Sequence, residues 1–262
     1  MKRARMLLPL FLLAFAAMAP ADTLVERFEG TWPLQGEEFS LDNVNGSVSV
    51  TAWDRDEVRI EAEKRIRARR RDAAADAMKE LRIEVTRTSK GLEVRTRYPR
   101  ERRGAFDLFD LFSGSDFSAK VDYRIKLPRG ARLVIDTVNA AIEVDGVEGG
   151  FALVTVNGRI DVVRGAGSFE ASTVNGAIDA QLMGSDPSKV RISTVNGKVA
   201  LALPADIRAD VEVSTVNGRI SSELPLTASE MGRRKLRGTI NGGGGVPIHI
   251  STVNGSIRLG PS

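Results

Sequence analysis

Residues 172–176 read Ser-Thr-Val-Asn-Gly, and this stretch decides the fold because it returns along the chain. Exact copies stand at 193–197, 214–218 and 251–255, and looser copies stand at 42–46, 136–140, 154–158 and 238–242. A short motif that recurs at near-regular intervals is typical of a repeat protein, in which each unit buries its apolar face only against its neighbours.

Apolar residues surround each motif at fixed distances from its Val. They lie three residues before it, four residues after it and usually six residues after it, as Ile192, Val199 and Leu201 do around Val195. Apolar residues alternate with other residues on each side of the motif, which predicts two strands per copy. The distance of three residues between the preceding apolar residue and the Val breaks the period of two, which predicts a bend. We therefore expect the motif Val to point inward and Asn-Gly to form the corner, because both residues tolerate a left-handed backbone. On this interpretation Val195→Asp costs several kcal/mol, since it buries a carboxylate.

The spacing of the motif predicts the fold class. The motif Val stands at 138, 156, 174, 195, 216 and 253, so successive steps are 18, 18, 21, 21 and 37 residues, and we interpret the last step as two turns, one of them irregular. Two short strands per period predict a mainly β protein, with a parallel β-solenoid over 131–262. We expect a right-handed β-helix, because parallel crossovers are almost always right-handed.

Stacked copies would also bring their Asn side chains together. Coils in such a stack lie about 4.8 Å apart, so identical amides can bond to one another in a ladder. We interpret this row as structural rather than as a ligand-binding row, because the corner geometry already accounts for it. Its members are Asn45, Asn139, Asn157, Asn175, Asn196, Asn217 and Asn254.

The N-terminus predicts export. Residues 1–21 hold three basic residues near the start, an apolar run from Met6 to Met18 and small residues at Ala19 and Ala21. This pattern indicates a secretory signal peptide cleaved after Ala21, and we expect no transmembrane segment after cleavage. The sequence contains no Cys, which excludes disulfides and a lipid-modified cysteine. We predict a periplasmic or extracellular (cell-surface) protein.

Composition argues against a nucleic-acid partner. The full chain carries 38 Lys and Arg against 34 Asp and Glu, and loss of Lys2, Arg3 and Arg5 with the signal peptide brings it close to neutrality. A nucleic-acid-binding protein normally has a clear basic excess. The partner classes that remain are an envelope glycan, a lipid or another protein.

Between the first and second copies the repeat pattern stops, and we interpret 22–130 as the first copy plus an insert. Alternating residues predict strands near 58–66, 81–85, 92–94 and 121–127, and Asp72 is expected to cap a short helix ending near Glu80. The insert should extend and cap the N-terminal end of the solenoid, because an open end would expose unpaired backbone groups. We expect it to form one continuous domain with 131–262.

These features together resemble the bacterial putative-adhesin domain family, whose function is not known. The resemblance rests on the signal peptide, the early Asp-Asn-Val-Asn-Gly-Ser-Val, the insert with its Val-Asp-Tyr-Arg-Ile-Lys-Leu-Pro-Arg-Gly at 121–130, and the serial motif. It covers essentially the whole exported chain. It implies a β-solenoid and supplies no catalytic or binding residues. The chain departs from the pattern at Ala140, where Gly is expected, and at 239–245, which indicates a loosened coil.

A run of basic residues in the insert is the first candidate binding site. Strand alternation would place Arg65, Arg67 and Arg69 on one face, and Arg71 follows closely. Guanidinium groups in such a stripe could bind phosphate or uronate groups of envelope material. The alternative is a solvated strand edge balanced by neighbouring acidic residues, as charge runs often are.

A Phe-rich segment is the second candidate. Phe106, Phe109 and Phe112 lie within residues 105–117, after a cluster of Arg residues. An exposed aromatic loop beside basic residues would suit a partner or a membrane surface. The alternative is a loop that folds back over the open face of the inserted sheet.

No residue pattern predicts catalysis, a cofactor or a metal site. His249 is the one histidine and should point away from the core, so we assign it no role. We therefore predict a non-catalytic envelope or surface protein, an adhesin-like binding or scaffold module. The alternative is a glycan-cleaving enzyme of the β-helix kind, either a lyase or a hydrolase, but a catalytic site needs a singular polar cluster that uniform repeats seldom provide.

Overall fold

The computed structural model describes residues 23–68, 70–99, 117–184 and 187–262. The first part of the chain forms the elements β1 (Thr23–Pro33), β2 (Glu38–Asp42), β3 (Val48–Trp53), β4 (Glu57–Ala68), α1 (Arg71–Glu80), β5 (Arg82–Arg87), β6 (Gly91–Arg97) and β7 (Phe117–Pro128). The middle part forms β8 (Arg132–Asp136), β9 (Ile142–Asp145), β10 (Phe151–Val154), β11 (Ile160–Gly165), β12 (Phe169–Asn175), β13 (Ile178–Leu182), β14 (Val190–Asn196) and β15 (Val199–Leu203). The last part forms β16 (Ala209–Asn217), β17 (Ile220–Ser222), β18 (Leu226–Met231), β19 (Lys235–Ile240), β20 (Val246–Asn254) and β21 (Ile257–Pro261).

These strands build two mixed, mostly parallel sheets. Sheet A has 10 strands in the order β1-β4-β7-β3-β9-β11-β13-β15-β21-β17, and sheet B has 11 in the order β18-β19-β16-β20-β14-β12-β10-β8-β2-β6-β5. Each motif copy except that at 238–242 supplies one strand to sheet B and the next strand to sheet A. Copies pair with one another in parallel and in matched register, so that motif Asn175 faces Asn196. The mainly β, repeat-based prediction is confirmed at this level.

The space between the two sheets is the core. In β14 the inward side chains are Val190, Ile192 and Thr194, and in β15 they include Val199 and Leu201. Alternation at a period of two puts every second residue of each strand into this space, as the sequence pattern predicts.

The motif Val, however, points outward, and the prediction that it points inward is wrong. Val195 is 40% exposed, whereas its neighbour Thr194 is only 5% exposed. Alternation runs unbroken from Val190 through Thr194, and the change of phase comes after Thr, at the Asn-Gly corner itself. The expected loss of stability in Val195→Asp fails for the same reason, because that side chain already meets solvent.

A buried Thr is favoured at this position because its hydroxyl has a partner. Thr194 Oγ1 donates to the carbonyl oxygen of Gly176 in the adjacent copy at 3.1 Å. The same bond, at 2.9 to 3.2 Å, is made to the corner carbonyl of an adjacent copy by Thr155, Thr173, Thr215 and Thr252. A valine would fill the same volume but would leave this carbonyl without that hydrogen bond.

The motif Gly is required by close approach, not by a left-handed backbone. The residues with positive φ include Gly46 of the first copy but none of the Gly residues at 158, 176, 197, 218 and 255. A Cβ placed on Gly176 would lie 1.8 Å from the carbonyl oxygen of Gly158, and one placed on Gly197 would lie 1.7 Å from that of Gly176. The corners therefore stack backbone on backbone, and a side chain at this position has no room.

The stack does not follow the order of the chain. The C-terminal copy, β20 with β21, lies between the copy formed by β14 with β15 and the copy formed by β16 with β17. β20 pairs in parallel with β14 on one side and with β16 on the other. The copy formed by β16 and β17 thus comes earlier in the sequence but lies farther out in the stack. The C-terminal copy, β20 with β21, fills the position between it and the copy formed by β14 and β15.

The interpretation of the step from Val216 to Val253 as two turns is consequently wrong. After β17 the chain forms the antiparallel pair β18 and β19, and β19 pairs antiparallel with the outer edge of β16. The sequence 238–242 ends β19 and enters a turn in which Asn241 has a φ of 49° and Gly242 a φ of 85°. Asn241 Nδ2 bonds to the carbonyl oxygens of Ala205 and Ile207, so this segment is not a copy of the motif corner.

The insert forms the strands that its alternation predicts, but it divides between the two sheets. β1, β4 and β7 extend sheet A, whereas β5 and β6 extend sheet B. The helix α1 packs mainly on β4, and Lys64 of that strand bonds to Glu26 at 2.6 Å and to the carbonyl oxygen of Leu81 at 3.2 Å. The helix is confirmed, but Asp72 is not its cap: the N-cap residue is Arg70.

We expect Gly176→Ala to lower the free energy of unfolding by roughly 1–3 kcal/mol or more, because the new methyl group meets a backbone oxygen that side-chain rotation cannot move. Gly130→Ala is the matched control, since no atom lies within 4 Å of a Cβ at Gly130 and its φ is not positive. Urea unfolding of both variants measures the difference. Equal stability of the two would show that the corners have room for a side chain.

A second pair of variants tests the buried hydroxyl. Thr194→Val removes the bond to Gly176 and should cost roughly 1–3 kcal/mol. Thr137→Val should be neutral or stabilising, because the buried Thr137 Oγ1 has no hydrogen-bond partner among the described residues. The two substitutions have the same shape, so equal losses in urea unfolding would exclude the hydrogen bond as the cause.

Candidate functional site

The outward face of sheet B carries the motif as parallel rows of identical side chains. Ser172, Ser193, Ser251 and Ser214 align across β12, β14, β20 and β16. Beside them runs a row of exposed Val side chains: Val156, Val174, Val195, Val253 and Val216, which are 37% to 54% exposed. The sequence interpretation missed this apolar row, although alternation counted from Val190 along β14 would have placed Val195 outside.

The predicted Asn ladder is present in the structure. Each amide Nδ2 donates to the Oδ1 of the preceding Asn at 2.7 to 2.9 Å, from one end of the stack to the other. The order along the ladder is Asn45, Asn139, Asn157, Asn175, Asn196, Asn254 and Asn217, which repeats the inserted position of the C-terminal copy.

A tyrosine from the insert meets the first corner of the stack. The backbone N–H of Asn45 donates to Tyr98 Oη at 3.0 Å, and Tyr98 Oη lies 2.9 Å from Asn43 Oδ1. Burial raises the pKa of Tyr98, so the phenol keeps its proton. Tyr98 therefore occupies the place that another motif copy would take.

The structure brings only part of the basic run together. Arg65 and Arg67 are exposed on the outward face of β4, where Arg65 pairs with Glu63 and Arg67 has no partner among the described residues. Arg71 is exposed at the start of α1 rather than on the strand, and Arg69 lies outside the described residues.

The Phe-rich candidates cannot be placed in the same way. Phe106, Phe109 and Phe112 lie outside the described residues. Strand β7 begins at Phe117, the last residue of this segment.

Several outward carboxylates of the repeat are held in ion pairs. Arg159 bonds to Asp161 at 2.7 Å and to Asp179 at 2.5 Å, and Arg164 bonds to Asp145 at 2.6 Å. No group of three potential metal-binding side chains occurs in the described parts of the chain. Nor does any helix in those parts have the length and apolar character needed to cross a membrane.

One carboxylate pair differs from these. Asp42 on β2 and Asp136 on β8 face each other in register. Burial raises the pKa of Asp42 above its ordinary value; Arg95 acts in the opposite direction, and the Asp136 carboxylate adds to the increase. Arg95 Nε lies 3.4 Å from Asp42 Oδ2.

His249, to which the sequence interpretation assigns no role, points outward as predicted but lies in a polar cleft. It stands between Arg191 of β14 and Glu212 of β16, and the Ser row runs beside it. No local sequence signal could reveal these neighbours, because they depend on the insertion of β20 between two earlier strands.

No family model and no curated protein matches this chain. Among solved structures it is similar to a putative cell adhesion protein from Clostridium sporogenes, with a TM-score of 0.50 and 12% identity, covering 90% of this chain and 100% of that one. A putative adhesin from Bacteroides fragilis has a TM-score of 0.42 and 10% identity, covering 89% of this chain and 96% of that one. At 12% identity, the likeness to the C. sporogenes structure shows a shared fold and nothing about a ligand.

We expect Asn175→Ala to lower the free energy of unfolding by about 1 kcal/mol, because it removes two side-chain hydrogen bonds that are exposed to solvent. Ser193→Ala is the control, an outward residue of the next strand whose side chain makes no hydrogen bond among the described residues. Thermal unfolding of the two variants measures the contribution. If only the Ser variant lost stability, the ladder would not have the structural role that we assign to it.

Proposed function

We propose that this protein is an exported, non-catalytic binding and scaffold module of the cell envelope or cell surface. The observation that carries the proposal is the regular outward face of sheet B, where Ser, Val and Asn rows repeat from strand to strand. Such a face repeats the same structural groups from copy to copy, which suits a rigid scaffold that carries its contact region elsewhere on the molecule. Its place is the periplasm or the outside of the cell, reached through the signal sequence at 1–21.

The same proposal includes the finer architecture. Successive strands of each copy alternate between the two sheets, and copies pair in parallel, as in a right-handed β-solenoid. The segment 22–130 serves as the cap of the solenoid formed by 131–262, in one continuous domain. The C. sporogenes structure, a putative cell adhesion protein, supports the fold part of this proposal.

The contact region that we propose lies in the insert. Arg65 and Arg67 present guanidinium groups on an exposed strand face, and Arg69 and Arg71 continue the basic run. With the Phe-rich segment these residues suit an envelope surface that combines anionic and apolar groups, as lipid does. The proposal requires no cofactor and no nucleic acid.

A second candidate function is glycan cleavage, and the Asp42 and Asp136 pair is the observation that favours it. Glycosidases use two carboxyl groups, one of which stays protonated as an acid because its pKa is raised. Asp42 shows such a shift. We prefer the binding role because the Asp42 side chain is 56% exposed, whereas the acid of a glycosidase is held in a desolvated pocket.

Binding to vesicles that contain anionic phospholipid, and to isolated sacculi, tests the proposed contact region. We expect Arg67, Arg69 and Arg71→Ser to weaken vesicle binding by roughly one to two orders of magnitude, since each basic residue near an anionic surface contributes about 1 kcal/mol. Phe106, Phe109 and Phe112→Ala should weaken it as well. The control with the same charge change is Arg219, Arg233 and Arg234→Ser at the other end of the stack.

The same preparations are assayed for glycosidase, lyase and protease turnover, and we expect none. Turnover that disappears in Asp42→Asn would establish the enzymatic alternative. If both insert variants bind like the wild type while Asn175→Ala or Asn196→Ala abolishes binding without unfolding, the Asn ladder is the contact surface and the assignment to the insert is wrong.

A further inference from the structure

The inserted C-terminal copy creates a polar cluster that occurs in no single stretch of sequence. His249 on β20 is in register with Arg191 on β14 and with Glu212 on β16. Adjacent strands lie about 4.8 Å apart, so three different polar side chains stand in one row across roughly 10 Å. At the next outward position toward the motif on each of these strands, the row consists of serines alone.

A cleft of about 320 Å³ opens over these two rows. Its polar lining consists of Arg191, His249, Glu212, Ser193, Ser251 and Ser214. Serine hydroxyls both donate and accept, Arg only donates, and a carboxylate only accepts. The cleft therefore offers donors and acceptors together in a small volume.

The charges in the cleft are not balanced. Arg237 donates to Glu212 through Nε at 2.9 Å, and this hydrogen bond lowers the pKa of Glu212, so the carboxyl group is ionised. His249 Nδ1 lies 3.5 Å from the same carboxylate. On the other side, Glu170 of β12 is in register with Arg191 and pairs with Lys189, and Lys189 and Arg191 both lower the pKa of Glu170. Arg191 itself forms no salt bridge within 4 Å among the described residues, so the two carboxylates share three Lys and Arg charges and one positive charge is in excess.

We propose that this cleft binds a carboxylated sugar residue of an acidic polysaccharide. Arg191 would hold the carboxylate, because a guanidinium fork matches a carboxylate with two parallel hydrogen bonds. The serine hydroxyls would donate to and accept from the sugar hydroxyls, and the Glu212 carboxylate would accept from them. This site is separate from the insert and does not depend on the contact region proposed there.

The Ser row gives the direction of the polymer. It continues past the cleft to Ser172 on β12, so it crosses four neighbouring strands at right angles to them. A glycan chain that lies along this row would meet a hydroxyl at every strand. An isolated sugar acid would use only the cleft, so the polymer should bind more tightly than the monomer.

The geometry fits binding rather than hydrolysis. His249 Nδ1 lies 3.5 Å from the Glu212 carboxylate on the neighbouring strand. No hydrogen bond joins His249 to a serine in the described parts of the chain. The cluster therefore lacks the contact that would activate a serine nucleophile.

Polygalacturonate is the probe, and its fully methyl-esterified form, which keeps the sugar backbone but has no charged carboxylate, is the matched ligand control. Calorimetric titration of the purified exported protein should show binding to the acid form and binding at least roughly tenfold weaker to the ester, since a charge-assisted pair contributes about 1.5–3 kcal/mol. Equal affinity for both forms would overturn the proposal.

The variants locate the site. Arg191→Gln should bind polygalacturonate at least roughly tenfold more weakly, and Ser193→Ala combined with Ser251→Ala should also weaken binding. Arg258→Gln, which removes an exposed charge from the other sheet of the same stack, should bind within about twofold of the wild type. Unchanged affinity in Arg191→Gln, or an equal loss in Arg258→Gln, would contradict the assignment.

Two further outcomes would overturn the sugar-acid assignment. Inorganic polyphosphate that displaces polygalacturonate at equal charge concentration would show a general anion site and overturn the sugar-acid assignment. A wild type that binds no polygalacturonate would also overturn it. Because vesicle and sacculus binding test the insert separately, that second result would leave the proposed function standing.

Discussion

The close contact between successive Asn-Gly corners is the constraint on which the rest of the structure depends. At Gly176 the backbone approaches the carbonyl oxygen of Gly158 so closely that no side chain fits between them. Thr194 then donates its hydroxyl to the carbonyl of Gly176 from the buried side. Outside the corner, the Asn amides bond to one another. Stacked corners therefore need Thr for the buried hydrogen bond, Asn for the ladder and Gly for the close approach. The residue between Thr and Asn points outward and makes none of these contacts.

This requirement also explains why the units are interchangeable. The copies that contain Thr155, Thr173, Thr194, Thr215 and Thr252 present the same carbonyl, amide and hydroxyl groups to their neighbours, so one of these units fits wherever a neighbouring corner is free. β20 pairs with β14 and with β16 through the same register that β12 uses with β14. The C-terminal copy can thus fill a position inside the stack without any change in its motif.

Much of the fold could be predicted from the sequence, because strand alternation and the repeat period are local signals. The two strands per copy, the Asn ladder, the helix in the insert and the parallel pairing of the copies all follow from them. Hydrophobicity favours Val over Thr as the inward residue of the corner, and here that prediction is wrong. Thr is inward because its hydroxyl donates to the corner carbonyl of the adjacent copy. This partner belongs to another copy, so it is seen only when the copies are stacked.

The order of the stack and the candidate sites were harder to predict for a related reason. Identical motifs carry no information about which copy lies beside which, so the neighbours of His249 could not be read from Ile248 or Ile250. A repeat holds its copies together with the residues that they share. Specific recognition then falls to the outward positions where copies differ, and Arg191, His249 and Glu212 are three such differences in one row. They lie side by side because β20 pairs between β14 and β16. If the copies stacked in the order of the sequence, His249 would not stand between Arg191 and Glu212.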